Sequence, residues 1–158
     1  MPQLTALLHT LNDARRIGRA LDSLRCCDEL LVIDHGSEDA TLRLARHHGA
    51  RVEPASSPSE ADSGAGHAAH DWVLCLLPSE ALSESLEASL LEWKQEDPGD
   101  AAAYAFALRQ ETVNGWQHRG PQVRLVNRRK MSWSGALPPH SAGAISLCGD
   151  LLRFRDPE

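Results

Sequence analysis

The sequence predicts a single α/β domain, with a mostly parallel sheet followed by an antiparallel C-terminal part. Short apolar runs alternate with amphipathic helical patterns over residues 1–100, which is typical of parallel strands joined by right-handed crossovers. Beyond residue 100 the helical patterns stop, and Asn114-Gly115, a strong hairpin-turn signal, separates two strand-like runs. The length of 158 residues fits one domain. We expect residues 1–100 and 101–158 to be its two halves.

The individual elements follow from hydrophobic periodicity and from capping residues. Strands are expected at 3–9, 29–34, 51–53 and 72–77 in the first half, and at 102–111, from 116 onward, 122–127 and 144–152 in the second half. Three helices are expected, the first starting at an Asn12 cap and ending near Arg25, the second from Ser37 to Gly49, and the third from a Ser83 cap to before Asp97. Residues 54–70 are rich in turn formers and predict a loop or a short helix.

The charge distribution is asymmetric. The net charge is −6, yet residues 112–149 contain no Asp or Glu. The cations of this segment are Arg119, Arg124, Arg128, Arg129 and Lys130. Such a segment can create a local positive field for an anionic ligand, although each cation taken singly is typical of a solvated strand or turn. The basic stretch is too local, in a chain too acidic, for general nucleic-acid binding.

The cellular compartment of the protein is predicted from its apolar runs and its cysteines. No run approaches the roughly 20 apolar residues of a membrane span, and the N-terminus lacks the pattern of a signal peptide. The four cysteines form no C-x-x-C pair, which favours reduced thiols in a cytoplasmic protein. Trp116, Trp133 and the basic run 128–130 leave open a peripheral membrane association, although tryptophans in hairpins are more often core residues.

Polar residues follow three of the expected parallel strands, at 10–13, 34–37 and 77–80. Ligands of open α/β sheets bind at the carboxyl ends of such strands. Asp34 can accept hydrogen bonds from ribose hydroxyls or a base N–H, and Gly36 and Ser37 would open a helix whose N-terminus favours phosphate. A dinucleotide site is not expected, because residues 10–15 lack the G-x-G-x-x-G turn. His67-x-x-His70 lacks a convincing third metal ligand.

The order and spacing of several motifs over residues 4–76 resemble glycosyltransferase family 2, in particular its lipopolysaccharide core biosynthesis branch. The motifs are Thr10-Leu-Asn-Asp13, Asp28-Glu-Leu-Leu-Val-Ile-Asp-His-Gly-Ser-Glu-Asp-Ala-Thr41, Gly49-Ala-Arg-Val52 and Asp71-Trp-Val-Leu74. The resemblance implies a Rossmann-like, three-layer GT-A fold that binds a nucleotide-diphosphate sugar and transfers the sugar to a saccharide or lipid-linked acceptor. It places Thr10, Asn12 and Asp13 at the nucleotide base, and Asp34 at the base or ribose.

The sequence departs from the family at two catalytic positions. The family's Asp-x-Asp motif, which holds a Mg²⁺ or Mn²⁺ ion, is replaced by Leu77-Pro78-Ser79, so the metal ligands are expected to be lost. The family's His-Glu pair is replaced by His140-Ser141. Two hypotheses remain. In the first, the chain is an enzyme that uses Arg124, Arg128 or Lys130 in place of the metal, with His140 as the candidate base. In the second, it is a catalytically degenerate module that binds a nucleotide or a partner.

Overall fold

The computed structural model describes residues 1–55 and 62–156. Within these residues the chain forms strands, α-helices and one turn of 3-10 helix. The strands are β1 (Leu4–Thr10), β2 (Glu29–Asp34), β3 (Arg51–Pro54), β4 (Trp72–Cys75), β5 (Glu80–Leu82), β6 (Ala103–Thr112), β7 (Gly115–Asn127) and β8 (Ile145–Arg153). The α-helices are α1 (Ile17–Asp22), α2 (Thr41–His47) and α3 (Glu84–Trp93), and the 3-10 helix covers Ala65–His67.

The strands form one mixed sheet in the order β3-β2-β1-β4-β7-β6-β8-β5. The pairings among β1, β2, β3 and β4 are parallel, whereas β7 runs antiparallel to both β4 and β6. This architecture confirms the α/β class predicted from alternating strands and helices. The C-terminal half differs from a purely antiparallel arrangement, because β8 lies parallel to β6 and antiparallel to β5. After β7 the chain crosses to the other side of β6, where β8 pairs with β6. The strand β6 therefore lies between β7 and β8 in the sheet.

The two faces of the sheet are covered differently. All three α-helices pack on one face, where Leu8 of β1 shares a core with Ile17 of α1 and Leu90 of α3. On the other face, Leu7 belongs to a second core covered by irregular segments. The covering residues are Ala65 and Ala68 from the segment around the 3-10 helix, and Trp133 and Leu137 from the connection between β7 and β8. In the described part of the chain, the third layer is therefore built from loops and one turn of 3-10 helix.

Several predicted elements are confirmed. The second strand has the predicted bounds, Glu29–Asp34. Ser83 caps α3, and its side-chain oxygen accepts a hydrogen bond of 3.2 Å from the backbone N–H of Leu86. The hairpin turn falls at the predicted position, between the end of β6 at Thr112 and the start of β7 at Gly115.

The two predicted caps of the first helices are wrong. The helix α1 begins at Ile17 and α2 begins at Thr41, several residues after Asn12 and Ser37. Both side chains instead bond to the other loop, and Asn12 has a left-handed backbone with φ +54°. The local sequence does not reveal this pairing of the loops, because a short polar side chain can either cap a helix or hydrogen-bond to a neighbouring loop.

The predicted loop 54–70 contains the end of β3 and the 3-10 helix, and its residues 56–61 lie outside the described part of the chain. The fourth strand ends at Cys75, two residues earlier than predicted. No helix in the described residues is long and apolar enough to cross a membrane.

Candidate functional site

The parallel register of the sheet brings the ends of β1 and β2 together. Thr10, the last residue of β1, lies opposite Asp34, the last residue of β2. The loop after Thr10 and the loop after Asp34 therefore start side by side at the carboxyl edge. This is the edge at which ligands bind in open α/β sheets.

Asp34 holds the turn that follows β2. Its half-buried carboxylate accepts hydrogen bonds of 3.1 Å from the backbone N–H groups of Gly36 and Ser37. Gly36 has φ +106°, a backbone conformation that favours glycine. The N–H groups of Gly36 and Ser37 are thus engaged by Asp34, and they do not form a phosphate-binding helix start as the sequence suggested. A carboxylate with two oxygens retains free acceptor positions, so Asp34 can still accept from a ligand.

Asp13 organises the loop after β1 from a buried position. Its carboxylate accepts hydrogen bonds of 2.6 Å from the Thr10 hydroxyl and 2.7 Å from Nε of Arg16. The backbone N–H of Asp13 donates to the hydroxyl of Thr41, at the start of α2, over 2.8 Å. Asp13 is only 6% exposed. Its side chain therefore fixes the loop, and a ligand would meet the loop's backbone rather than this carboxylate.

Asn12 and Ser37 join the two loops directly. The backbone N–H of Asn12 donates to the Ser37 hydroxyl over 2.9 Å, and the Asn12 side-chain oxygen accepts from the backbone N–H of Glu38 over 2.8 Å. The residues predicted to bind a nucleotide are therefore brought together as one cross-linked edge. They are Thr10, Asn12, Asp13, Asp34, Gly36 and Ser37.

A cleft of about 190 Å³ lies at this edge, and two of its lining residues are histidines that the sequence pattern did not single out. The lining residues are His9, Thr10, Leu11, His35 and Ala136. Nδ1 of His9 lies 2.8 Å from Nε2 of His35, and Nε2 of His9 lies 2.7 Å from the carbonyl oxygen of Ser63. The signal that could have found them is their position, since His9 ends the first predicted strand and His35 directly follows Asp34, the end of the second.

Gly64 sets the position of the Ser63 carbonyl. Its backbone has φ +80°, and a Cβ at this position would lie 2.8 Å from Cγ1 of Ile33 on β2. The segment therefore approaches the sheet as closely as it does only because residue 64 lacks a side chain. The same segment contributes the buried Ala65 to the core on this face.

The end of β4, where the resemblance places a metal site, holds a buried ion pair instead. Glu80 is fully buried, and it accepts hydrogen bonds from Arg124 of β7 over 2.6 and 2.9 Å and from Arg153 of β8 over 2.9 Å. Burial by itself raises the pKa of the Glu80 carboxyl. The hydrogen bonds and charge of Arg124, the backbone N–H of Leu77 and the charge of Arg153 outweigh it and hold that pKa below its ordinary value.

This pair corrects the role predicted for Arg124. Its side chain is 1% exposed, and both terminal nitrogens contact Glu80. A guanidinium buried in this way cannot reach a leaving diphosphate unless the pair breaks. The turn between β4 and β5 does not fit a divalent cation either, because its carboxylate is already neutralised by two arginines. Within residues 1–55 and 62–156, no group of three or more His, Cys, Asp or Glu side chains could hold a metal ion.

The remaining cations of the basic segment have partners within the chain. Arg128 and Arg129 pair with Asp71 at 3.4 and 3.1 Å, and Lys130 donates to the carbonyl oxygen of Gly99. Arg128 and Arg129 line a cleft of about 750 Å³ at the opposite edge of the sheet, beside the start of β4. Within the described residues, Arg124, Arg128 and Arg129 thus have carboxylate partners, whereas Lys130 contacts a carbonyl oxygen.

The connection between β7 and β8 reaches the carboxyl edge through Ala136, which lines the cleft. His140, four residues later, is exposed, and the described residues offer no hydrogen bond to its ring. The two tryptophans considered for membrane contact both pack against other parts of the chain, although Trp116 stays exposed. Trp133 packs on the sheet, and Trp116 makes an edge-to-face contact with Phe154, with ring centroids 5.3 Å apart.

Comparison with curated proteins finds relatives among glycosyltransferases. The chain is 34% identical over 94 residues to an uncharacterized glycosyltransferase of Rickettsia felis, covering 55% of this chain and 32% of the relative. An uncharacterized glycosyltransferase of Rickettsia prowazekii is 33% identical over 94 residues, with 55% and 31% of the two chains covered. The chain thus spans about a third of the length of the curated relatives that it matches. No protein-family model matches the sequence.

Several solved structures have an architecture similar to that of this chain. The structure of S. aureus TarS, residues 1–349, superposes with a TM-score of 0.55 at 19% identity and covers 75% of this chain and 37% of that one. Glucosyl-3-phosphoglycerate synthase from Mycobacterium tuberculosis gives 0.52 at 21% identity, with 68% and 44% covered. The chain has the GT-A glycosyltransferase fold. The synthase was crystallised with Mn²⁺ and uridine-diphosphate-glucose, among other ligands.

Proposed function

We infer that the chain binds a nucleotide-diphosphate sugar at the joined ends of β1 and β2 and transfers the sugar to a saccharide or lipid-linked acceptor. The observation that carries the proposal is the cross-linked pair of loops, which places the acceptor groups of Asp34 beside a cleft at the carboxyl edge of parallel strands. The glycosyltransferase names of the relatives support it, as does the uridine-diphosphate-glucose bound by a protein of the same fold.

Asp34 is the residue proposed to contact the nucleotide directly, by accepting a hydrogen bond from a ribose hydroxyl or a base N–H. Thr10, Asn12 and Asp13 position the backbone of the first loop. Gly36 and Ser37 position Asp34 itself, because their N–H groups fix its carboxylate. The proposed nucleotide site thus has one contacting carboxylate and a rigid frame around it.

Sugar transfer requires that an acceptor hydroxyl attack the anomeric carbon while the bond from that carbon to the diphosphate breaks. The acceptor's proton then goes to a base, for which we propose the exposed His140. The departing diphosphate carries the negative charge away. Because the turn between β4 and β5 does not fit a divalent cation, the proposed reaction proceeds without the usual metal at that turn.

A second candidate is a nucleotide- or partner-binding module without transfer chemistry. The Glu80–Arg124 pair favours it specifically, since this pair engages the carboxylate at the expected metal position and also the cation proposed to replace the metal. The nucleotide-binding edge is unaffected by that pair. Binding without turnover is therefore a consistent alternative.

A thermal-shift panel of uridine, guanosine and thymidine diphosphate sugars, run with Mn²⁺ and with EDTA, tests binding. A ligand at about 100 times its dissociation constant stabilises a protein by about 2.7 kcal/mol, so a true ligand gives a clear shift. We expect stabilisation that EDTA does not remove. Asp34→Asn keeps an oxygen for the turn but loses the charge, and it should weaken binding, whereas the exposed control Asp100→Asn should not.

An assay of sugar transfer or of donor hydrolysis by the same protein distinguishes the enzyme from the binding module. Turnover in EDTA that His140→Ala abolishes supports the enzyme, and tight binding without turnover supports the module. If none of the nucleotide sugars stabilises the protein, nucleotide binding is refuted. We place the activity in the cytoplasm, consistent with four cysteines that are all free thiols.

A further inference from the structure

The two histidines in the wall of the cleft form a hydrogen-bonded chain with a backbone carbonyl. His9 lies near the end of β1, and His35 follows β2 directly. The chain runs from the carbonyl oxygen of Ser63 to Nε2 of His9 over 2.7 Å, and from Nδ1 of His9 to Nε2 of His35 over 2.8 Å. Its members come from three separate segments of the sequence.

The partners fix where the hydrogens lie. A carbonyl oxygen can only accept, so Nε2 of His9 carries a hydrogen and donates it to Ser63. A neutral imidazole has a single N–H, which leaves Nδ1 of His9 as an acceptor. A nitrogen–nitrogen distance of 2.8 Å accommodates one hydrogen between the rings. In the neutral pair that hydrogen belongs to Nε2 of His35.

The consequence is a bare nitrogen at the far end of the chain. His35 has its only hydrogen on Nε2, so its Nδ1 is a hydrogen-bond acceptor. Both residues line the cleft, and no described residue forms a hydrogen bond with Nδ1 of His35. The neighbouring Asp34 adds a carboxylate, a second acceptor, at the same strand end. This edge therefore offers acceptors to a ligand, and it suits a ligand that brings donors.

We propose that His35 is a specificity-determining residue, whose Nδ1 accepts a hydrogen bond from the ring N–H of a uracil- or thymine-type base in the cleft. The inference rests on the proposed nucleotide binding. Cytosine has the same size but a bare ring nitrogen in place of that N–H, so it would face Nδ1 with a second acceptor. A site that hydrogen-bonds one ligand discriminates against an analogue that leaves its polar group unpaired.

His9 acts in this proposal as a positioning residue. It is oriented by Ser63 and in turn orients the ring of His35, so that Nδ1 rather than Nε2 is left for the ligand. Ser63 is held by Gly64, whose close approach to Ile33 fixes this segment on the sheet. Base preference would thus depend on a residue that does not touch the base.

The tautomers are measured first, on the whole protein without nucleotide. Long-range proton–nitrogen NMR correlation of ¹⁵N-histidine-labelled protein, at about pH 8, where histidines are ordinarily neutral, reports which nitrogen of each ring carries the hydrogen. The variants His9→Gln and His35→Gln assign the signals. We expect Nε2–H for both rings. A hydrogen on Nδ1 of His35 overturns the proposal, whether or not any nucleotide binds.

Titration calorimetry with uridine diphosphate and cytidine diphosphate then measures the preference. We expect wild-type protein to bind uridine diphosphate at least about tenfold more tightly. His35→Phe should reduce that ratio to near one, and His9→Phe should reduce it in part. The exposed His47→Gln, at the end of α2, is the matched control and should keep the wild-type ratio. Near-ultraviolet circular dichroism checks that each variant is folded, and His35→Gln serves if His35→Phe is not.

The two levels of the proposal fail differently. Equal binding of both nucleotides to the wild type overturns the role of His35 but leaves nucleotide binding intact. If neither nucleotide binds, the proposed function and the specificity role are both refuted. A preference that survives in both His35 variants shows that another group reads the base.

Discussion

Replacing Arg124 by Met tests whether this residue is structural or catalytic. Arg124 makes two short contacts with Glu80, and both side chains are almost completely buried. Removing one partner of a buried ion pair destabilises proteins by about 3–5 kcal/mol, because the remaining charge is left uncompensated. Here Arg153 still contacts Glu80 at 2.9 Å, so we expect the lower end, a loss of about 3 kcal/mol in the free energy of unfolding.

Urea denaturation followed by tryptophan fluorescence measures this loss. The exposed Arg129, which pairs with Asp71 at 3.1 Å, is the matched control, and Arg129→Met should change stability by less than about 0.5 kcal/mol. The double variant Arg124→Met/Glu80→Gln should lose less than the sum of the two single variants, because each single change leaves a buried charge behind. These comparisons isolate the buried pair.

One result would refute the structural interpretation. If Arg124→Met loses less than about 1 kcal/mol yet abolishes sugar transfer, then Arg124 serves the reaction and the pair with Glu80 contributes little to folding. A large loss of stability with unchanged nucleotide binding by the folded fraction supports a structural role for Arg124.

Three further predictions concern pH, thiol reactivity and a helix cap. The pKa of Glu80 is depressed in the folded protein, so the unfolded chain takes up the proton first as the pH falls. The stability that Glu80 contributes is therefore present at neutral pH and is lost as the pH falls below about 4.5. Urea denaturation at several pH values measures this loss of unfolding free energy. Alkylation of the native protein should modify the exposed Cys148 first and Cys75 last, since burial raises the pKa of Cys75 to about 12, as mass spectrometry of digests would show. Ser83→Ala should destabilise the protein by about 1 kcal/mol, because α3 loses the acceptor for the N–H of Leu86.

A specific result would contradict each of these three predictions. Acid sensitivity unchanged by Glu80→Gln would assign the loss at low pH to other carboxylates. Modification of Cys75 as fast as Cys148 would show that the central strand opens readily. If Ser83→Thr, which keeps the hydroxyl, is as destabilising as Ser83→Ala, the effect comes from packing rather than from the cap.

The sequence by itself determined the elements that depend on local periodicity and turn chemistry. Alternating strands and helices gave the α/β class, and the apolar run before Asp34 gave β2 with its bounds. The Asn114-Gly115 turn gave the β6–β7 hairpin. These signals are local, because a strand or turn is favoured by residues a few positions apart. The placement of polar residues after parallel strands also indicated correctly that residues 10–13 and 34–37 meet at one edge.

Only the tertiary structure decided which side chains meet across the sheet. Arg124 looked like a cation available to an anion, until the sheet order placed β7 beside β4 and Arg124 was found paired with Glu80 in the interior. The chain from Ser63 through His9 to His35 likewise joins three distant segments. Periodicity reports which face a residue occupies, whereas its partner depends on strand order and on the path of the connecting loops.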